Sequence, residues 1–468
     1  NFIVKADGYS SAHFAQNDGR IYLNKDGSLV SIRFDGTDEK TYVAVDGITV
    51  YGSVYTDNHM LSDEPEAPAR KPSKASTLLR APKGEYALAK INNDIYIVTV
   101  PKVGPDGVKI NVKDPDNAAF PSRKLTTMGG EFPSWSSDGN TVYWTLGSTL
   151  FTYSIADAEA RDLEIEAYKK AQDEKSKEAD EKEDNDEKDE KADEGPKAYT
   201  AVESAVAVEV ERAIPDKTVV YTGATLIPMT DSETVIENAT VVVNANRITE
   251  VLAKGETASY PEDAIVIDLE GAYLLPGFVD THAHLRPSWG LHKNHVWAYA
   301  ANLAYGVTTT RDPQTGTTDV LTYADMVEAG MIAGPRIYST GPGVGYWGYN
   351  IKSLDHAREV LKQYSKYYNT KTIKMYLTGN RKHRQWIIEA AREQKLMPTT
   401  EGGLDFKLNV TQILDGYPGH EHSFPIYPLY KDFIDFVTFS NTAYTPTLLV
   451  AYGGPWAENY YYATEPVN

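Results

Sequence analysis

The chain has 468 residues, enough for two or three domains, and 41% of them are hydrophobic, so a sizeable core is available. Its net charge of −20 argues against a nucleic-acid-binding face, and the absence of cysteine removes disulfides, thiolate metal sites and cysteine nucleophiles. No run of eighteen or more apolar residues occurs, so no membrane span is expected.

Residues 1–155 are strand-rich and repetitive. Asn17-Asp18-Gly19 is a turn entering Arg20-Ile21-Tyr22-Leu23, and Leu29-Val30-Ser31-Ile32 forms the second arm across Lys25-Asp26-Gly27. The design returns at Ser137-Asp138-Gly139-Asn140-Thr141-Val142-Tyr143-Trp144 with Leu150-Phe151-Thr152-Tyr153. A third copy joins Tyr86-Ala87-Leu88-Ala89 to Ile95-Tyr96-Ile97-Val98 across Asn92-Asn93. Hairpins at such intervals suggest blades of a β-propeller, too few to close a ring, with an open β-sandwich as the alternative. The segment Phe132-Pro133-Ser134-Trp135-Ser136-Ser137-Asp138-Gly139 resembles the repeat of TolB-type propellers.

Residues 156–200 read as an acidic charged linker. The stretch from Asp173 to Lys197 is almost wholly Asp, Glu and Lys, and has little to bury, so a solvated linker or fraying helix is expected. A calcium role for Asp184, Asp186 and Asp189 lacks the glycine turn and terminal Glu that would complete a loop. Residues 201–270 return to short strands, among them Val219–Ala224, Thr240–Val243 and Arg247–Val251, with a hairpin turn at Asn244-Ala245-Asn246.

From 271 to 468 strands and helices alternate. Strands are expected at Gly277–His282, Val307–Arg311, Arg336–Thr340, Thr372–Leu377, Leu396–Glu401, Gly416–His422 and Ala443–Val450. Helices are expected near Val296–Ala304, Val320–Ala329, Leu354–Tyr367, Gln385–Glu393 and Phe406–Leu414. This is the rhythm of a (β/α)8-type TIM barrel lacking its last strand, and a doubly wound open sheet shares it. The expected fold is therefore multidomain β plus α/β: partial β-propeller, small β-sandwich and incomplete barrel.

The first barrel strand carries Leu275-Pro276-Gly277-Phe278-Val279-Asp280-Thr281-His282-Ala283-His284. Side chains alternate along a strand, so His282 and His284 share a side and could hold one metal ion; a pair of surface or core histidines is the plainer alternative. Active sites of barrels sit at the C-terminal strand ends. Those ends add Arg311 with Asp312, Lys374 with Tyr376, Glu401, and His420-Glu421-His422.

The PGxxDxHxH strand, preceded by a small β-sandwich segment, resembles the amidohydrolase superfamily over roughly residues 217–468. The resemblance implies that Lys374 is carbamylated and bridges metals; an ordinary lysine reaching the barrel mouth is the alternative. It implies that His422, in Gly419-His420-Glu421-His422, is a ligand of the second metal. Strand five departs from the commoner pattern: Met397-Pro398-Thr399-Thr400-Glu401-Gly402-Gly403 has no histidine. Glu401 is either the replacement ligand or a group that holds His422 or a substrate amine. Arg311, Tyr376 and His420 are expected to line the substrate site. No residue can be assigned to the catalytic aspartate of strand eight.

The activity implied by resemblance is hydrolysis of a C–N, amide-like bond in a small molecule or dipeptide. The cofactor is one or two divalent metal ions, zinc first, with manganese or iron as alternatives. The competing reading is a non-catalytic propeller–barrel scaffold with a degenerate metal site. Partners are a small-molecule substrate, no nucleic acid, and an oligomer where open strand edges associate. Association with TolB-like propellers implies a periplasmic or secreted protein. Both ends of the chain read as cuts.

Overall fold

The computed structural model describes residues 8–48, 72–102, 104, 106–180, 195–230, 233–285, 287, 290–345, 351–376, 380–403 and 405–447. Asp184, Asp186 and Asp189, Leu377, and the last residues of the strand expected at Ala443–Val450 lie outside them. The chain forms two compact units, residues 1–207 with 344–468, and residues 208–343.

The first unit opens with three antiparallel sheets. One has six strands, built from Tyr9–Phe14, Arg20–Lys25, Ser28–Arg33, Lys40–Gly47 and Ser73–Lys74, with Val108–Asn111 pairing parallel to Lys40–Gly47. Four-stranded sheets follow, from Thr77–Arg80, Tyr86–Ile91, Asp94–Thr99 and Ser122–Lys124, and from Glu131–Trp135, Thr141–Leu146, Thr149–Ser154 and Val202–Ala205. All three expected hairpins are present. Lys25 pairs with Ser28 across Asp26 and Gly27, both with positive φ, the two-residue turn that matches strand twist. Alternation buries Leu29, Val43, Leu78, Ala89, Val98 and Ile110 in one cluster.

Helix Ile155–Asp180 replaces the first part of the expected linker. Of its residues with described side chains, Ala158 is the only one buried.

The same unit then carries a parallel sheet in the order Val344–Gly345, Thr372–Tyr376, Met397–Glu401, Gly419–Glu421, Ala443–Thr445. Helices Leu354–Lys362, Arg381–Glu393, Phe406–Asp415 and Lys431–Ser440 alternate with its strands. Their starts are chemically marked. Ser353 accepts from the His356 amide, Asp405 from Lys407 and Leu408, and Asn380 forms a capping box with His383. That box begins its helix four residues before the expected Gln385. The helix expected through Tyr367 instead turns into a π-helical segment at Gln363–Tyr367. Gly416, at φ +97°, closes the helix Phe406–Asp415, so the next strand starts only at Gly419. Helix Lys431–Ser440 and strand Val344–Gly345 were not expected.

The second unit holds a five-stranded sheet and a three-stranded parallel sheet. The first is ordered Arg247–Leu252, Ile236–Asn244, Thr218–Leu226, Ile265–Asp268, with Tyr273–Leu274 also on Thr218–Leu226. The second is ordered Phe278–Asp280, Val307–Asp312, Arg336–Ser339. Helices Trp297–Ala304 and Asp319–Glu328 flank it in sequence, and Ala283, Leu285, Tyr299, Val320, Tyr323 and Ile332 form the unit's buried cluster. The strands that alternate with helices thus fall into two parallel sheets, one in each unit.

Candidate functional site

In the second unit the histidine strand ends sooner than expected. Asp280 Oδ1 accepts from the His282 amide at 2.9 Å, an Asx turn that stops the strand at Asp280. His282 therefore sits on a turn and His284 in the irregular segment that follows it. Their rings still meet, with Nε2 to Nε2 at 3.2 Å and centroids 5.0 Å apart. His284 Nδ1 lies 3.2 Å from the Gln314 carbonyl oxygen. A carbonyl only accepts, so Nδ1 carries the proton and the His284 Nε2 lone pair points at His282. Arg311, at the end of its strand, donates from Nη1 to the Thr281 carbonyl at 3.4 Å.

In the first unit, strand register pairs Lys374 with Thr399 and Glu401 with Glu421. Lys374 and Glu401 therefore share a face, and Lys374 Nζ lies 2.8 Å from Glu401 Oε2 with the lysine side chain fully buried. Glu401 Oε1 is 2.5 Å from His422 Nε2, and His422 Nδ1 is 2.5 Å from Thr447 Oγ1. Three of the sequence candidates thus form one connected polar group at strand ends. Burial pushes the Glu401 carboxyl up, but the His422 hydrogen bond and the Lys374 charge outweigh it and hold the pKa below the usual carboxylate value. Tyr376 closes the strand that carries Lys374 and is half-buried.

His422 reaches Glu401 because it has left strand geometry. Its φ is +70°, in the left-handed region that a non-glycine residue seldom occupies. Simple alternation put His420 and His422 on one side, and this backbone turn separates their contacts. His420 packs against Phe424 and Tyr444, with centroids at 4.9 and 6.3 Å. It also lies against Gly402, where an added Cβ would come within 2.7 Å of its Cε1. Neither ring nitrogen of His420 has a hydrogen-bond partner among the described residues. Burial pushes its pKa down to about 4.

That shift predicts acid sensitivity. The folded state keeps His420 neutral while an unfolded histidine protonates near 6.5. The stability it contributes is present above pH 6.5, falls as the pH drops, and is gone below about 4. The swing should be about 3 kcal/mol, read from urea unfolding across this window. His420→Phe should flatten it; an equally steep curve in that variant would assign the effect elsewhere.

Sequence reasoning gave no part to Glu421 or Thr447. Glu421 is buried in register with Glu401, and Thr447 anchors His422. The carboxylate in Gly-His-Glu-His was a legible signal for Glu421; Thr447 had none. No group of three or more His, Asp or Glu side chains placed to hold a metal occurs among the described residues.

No family model matches the chain. Over 65 residues it is 42% identical to a 5-methylthioadenosine/S-adenosylhomocysteine deaminase of Bacillus thuringiensis (strain Al Hakam), covering 14% of this chain and 15% of that protein. The match thus spans about 15% of the length of the curated relative. Among solved structures, a Xaa-Pro dipeptidase with bound methionine in its active site is similar with a TM-score of 0.41 and 18% identity, over 50% of this chain and 67% of that one. A putative prolidase from Bifidobacterium longum gives a TM-score of 0.39 and 22% identity, over 50% and 61%. Deaminase and dipeptidase are names of hydrolases that act on carbon–nitrogen bonds.

Proposed function

We propose that this chain belongs to a metal-dependent amidohydrolase that cleaves a C–N, amide-like bond in a small molecule or dipeptide. The observation that carries the reading is the connected group of buried Lys374 and Glu401 with half-buried His422 at the ends of parallel strands, where α/β proteins bind their substrates.

The residues fit a divalent ion chemically. His284 presents an unprotonated Nε2, as a ligand imidazole must, and the Gln314 carbonyl fixes that tautomer. Glu401 is held ionised, and with His422 it would hold an ion in place of the proton they share. His282 and His284 form one ligand pair of the proposal, and Lys374, Glu401 and His422 the other group. Zinc suits this mixture of imidazole and carboxylate, with manganese or iron as alternatives.

A bound divalent ion supplies water activated near neutral pH and polarisation of the scissile carbonyl. Glu401 orients His422 and neutralises Lys374. Arg311 and Tyr376, at strand ends, serve to bind substrate. For Lys374 to become a carbamate, its amine must give up a proton and add to carbon dioxide, releasing Glu401 as a counter-ion. Carbon-13 NMR in labelled bicarbonate reads that adduct directly. The N-terminal sheets serve as TolB-like propeller blades in this reading, and the protein is periplasmic or secreted, which fractionation of producing cells tests.

Elemental analysis checks the metal. His282→Ala with His284→Ala should lose bound zinc or manganese. Chelation should abolish hydrolysis in a screen of dipeptides and N-acyl amino acids, and metal return should restore it. Unchanged metal content in the double variant would sink the ligand assignment.

A further inference from the structure

A cleft of about 280 Å³ lies between the Asn92-Asn93-Asp94 turn, the loop from Lys124 to Gly129, and the start of helix Leu354–Lys362. It lies wholly within the first compact unit. Positive charge gathers there on a chain whose net charge is −20. Lys124, Lys352 and His356 line the cleft, and Lys113 is near enough to repel Lys352. Lys124 is neutralised, with Nζ 2.7 Å from Asp94 Oδ2, and Thr126 Oγ1 donates to the other oxygen of Asp94 at 2.9 Å. Lys352 has no carboxylate within ion-pair distance among the described residues. Lys352 is exposed as a residue but its charge is partly desolvated, and that desolvation, then the charges of Lys124 and Lys113, push its pKa down. Burial, then Lys124, do the same to His356. In both, the neighbouring lysines add to the effect of burial and Asp94 acts against it.

The hydrogen-bonding groups are arranged for an acceptor ligand. His356 Nδ1 accepts from the Lys352 amide at 3.3 Å, so its neutral ring carries the proton on Nε2, where it can donate. Ser353 Oγ accepts from the His356 amide at 3.1 Å, which leaves its own hydroxyl proton to give. The nine-residue helix Leu354–Lys362 starts here and adds the positive end of its dipole.

We infer that this cleft binds a small oxyanion, the carboxylate or phosphate group of an anionic metabolite, held by Lys352 and His356. Asp94 also lines the cleft, with its charge taken up by Lys124. The metal ligands proposed above take no part, so the two readings stand or fall separately.

Calorimetric titration of the full chain with inorganic phosphate, and separately with acetate, tests it, with chloride keeping ionic strength constant. Saturable one-site binding is expected, and the preferred anion tells phosphate from carboxylate. Lys352→Glu should weaken binding by roughly tenfold or more. Lys352 is exposed, so this variant should keep the wild-type melting temperature. The His356 ring signals in proton NMR should move on titration, and should not in Lys352→Glu. Absence of saturable binding for both anions, or an unchanged Kd in Lys352→Glu, would overturn the assignment.

Discussion

Replacing Asp415 with alanine is expected to destabilise the chain by about 3–5 kcal/mol, the loss that follows when one partner of a buried ion pair is removed. Asp415 ends helix Phe406–Asp415 with its side chain fully buried. Its carboxylate takes Arg381 Nε at 2.6 Å and Arg384 Nε at 3.0 Å, and the Arg384 side chain is 1% exposed. Arginine cannot escape by giving up its proton, so a cation would stay buried without this counter-ion. The loss should appear as a lower urea midpoint with an unchanged slope. Asp415→Ala combined with Arg384→Leu should recover most of it, because an apolar pair of similar volume substitutes well for a buried ion pair. A loss below about 1 kcal/mol in the single variant would mean that water reaches Arg384.

How much of this was legible in the sequence depends on the range of the forces involved. Hairpins were legible because Asp-Gly and Asn-Asn turns are local, and they appear at Asp26-Gly27 and Asn92-Asn93. The alternation of strands and helices after residue 271 was legible for the same reason, since periodicity and caps are local signals. Boundaries slipped where one side chain decided them: Asp280 stopped the histidine strand, the Asn380–His383 box advanced a helix, and Gly416 delayed a strand. Lys374, Glu401 and His422 were each picked out by residue type at strand ends. That Glu401 could hold His422 was one of its two readings from the sequence, and the two do meet; its contact with Lys374 was not legible, because it depends on strand register. His420 shows the same limit: alternation gave its parity with His422, and a single φ angle undid it. The cationic cleft was invisible because it joins residues 92–129 to 352–360, which are distant in sequence.

Glu401→Gln should cost both stability and hydrolysis, and comparison with a second variant separates the two. The Glu401 carboxylate touches both Lys374, at 2.8 Å, and His422, at 2.5 Å. With an amide in its place, the buried ammonium of Lys374 loses that anion. Lysine, unlike arginine, can shed its proton when buried, so the loss should stop near about 3 kcal/mol. Hydrolysis of whichever dipeptide or N-acyl amino acid the wild type cleaves should fall by roughly 10²-fold or more, because His422 loses its orienting partner and the site loses an anionic ligand. Glu401→Gln with Lys374→Met removes the buried ammonium as well. Stability, read by urea unfolding, should then return toward the wild type while activity and metal content stay low. The stability term belongs to the ion pair and can be repaired by deleting the partner, whereas the double variant lacks two members of the proposed ligand group, so its activity should not return. Recovery of hydrolysis along with stability in the double variant would make Glu401 a structural counter-ion and strike it from the proposed ligands.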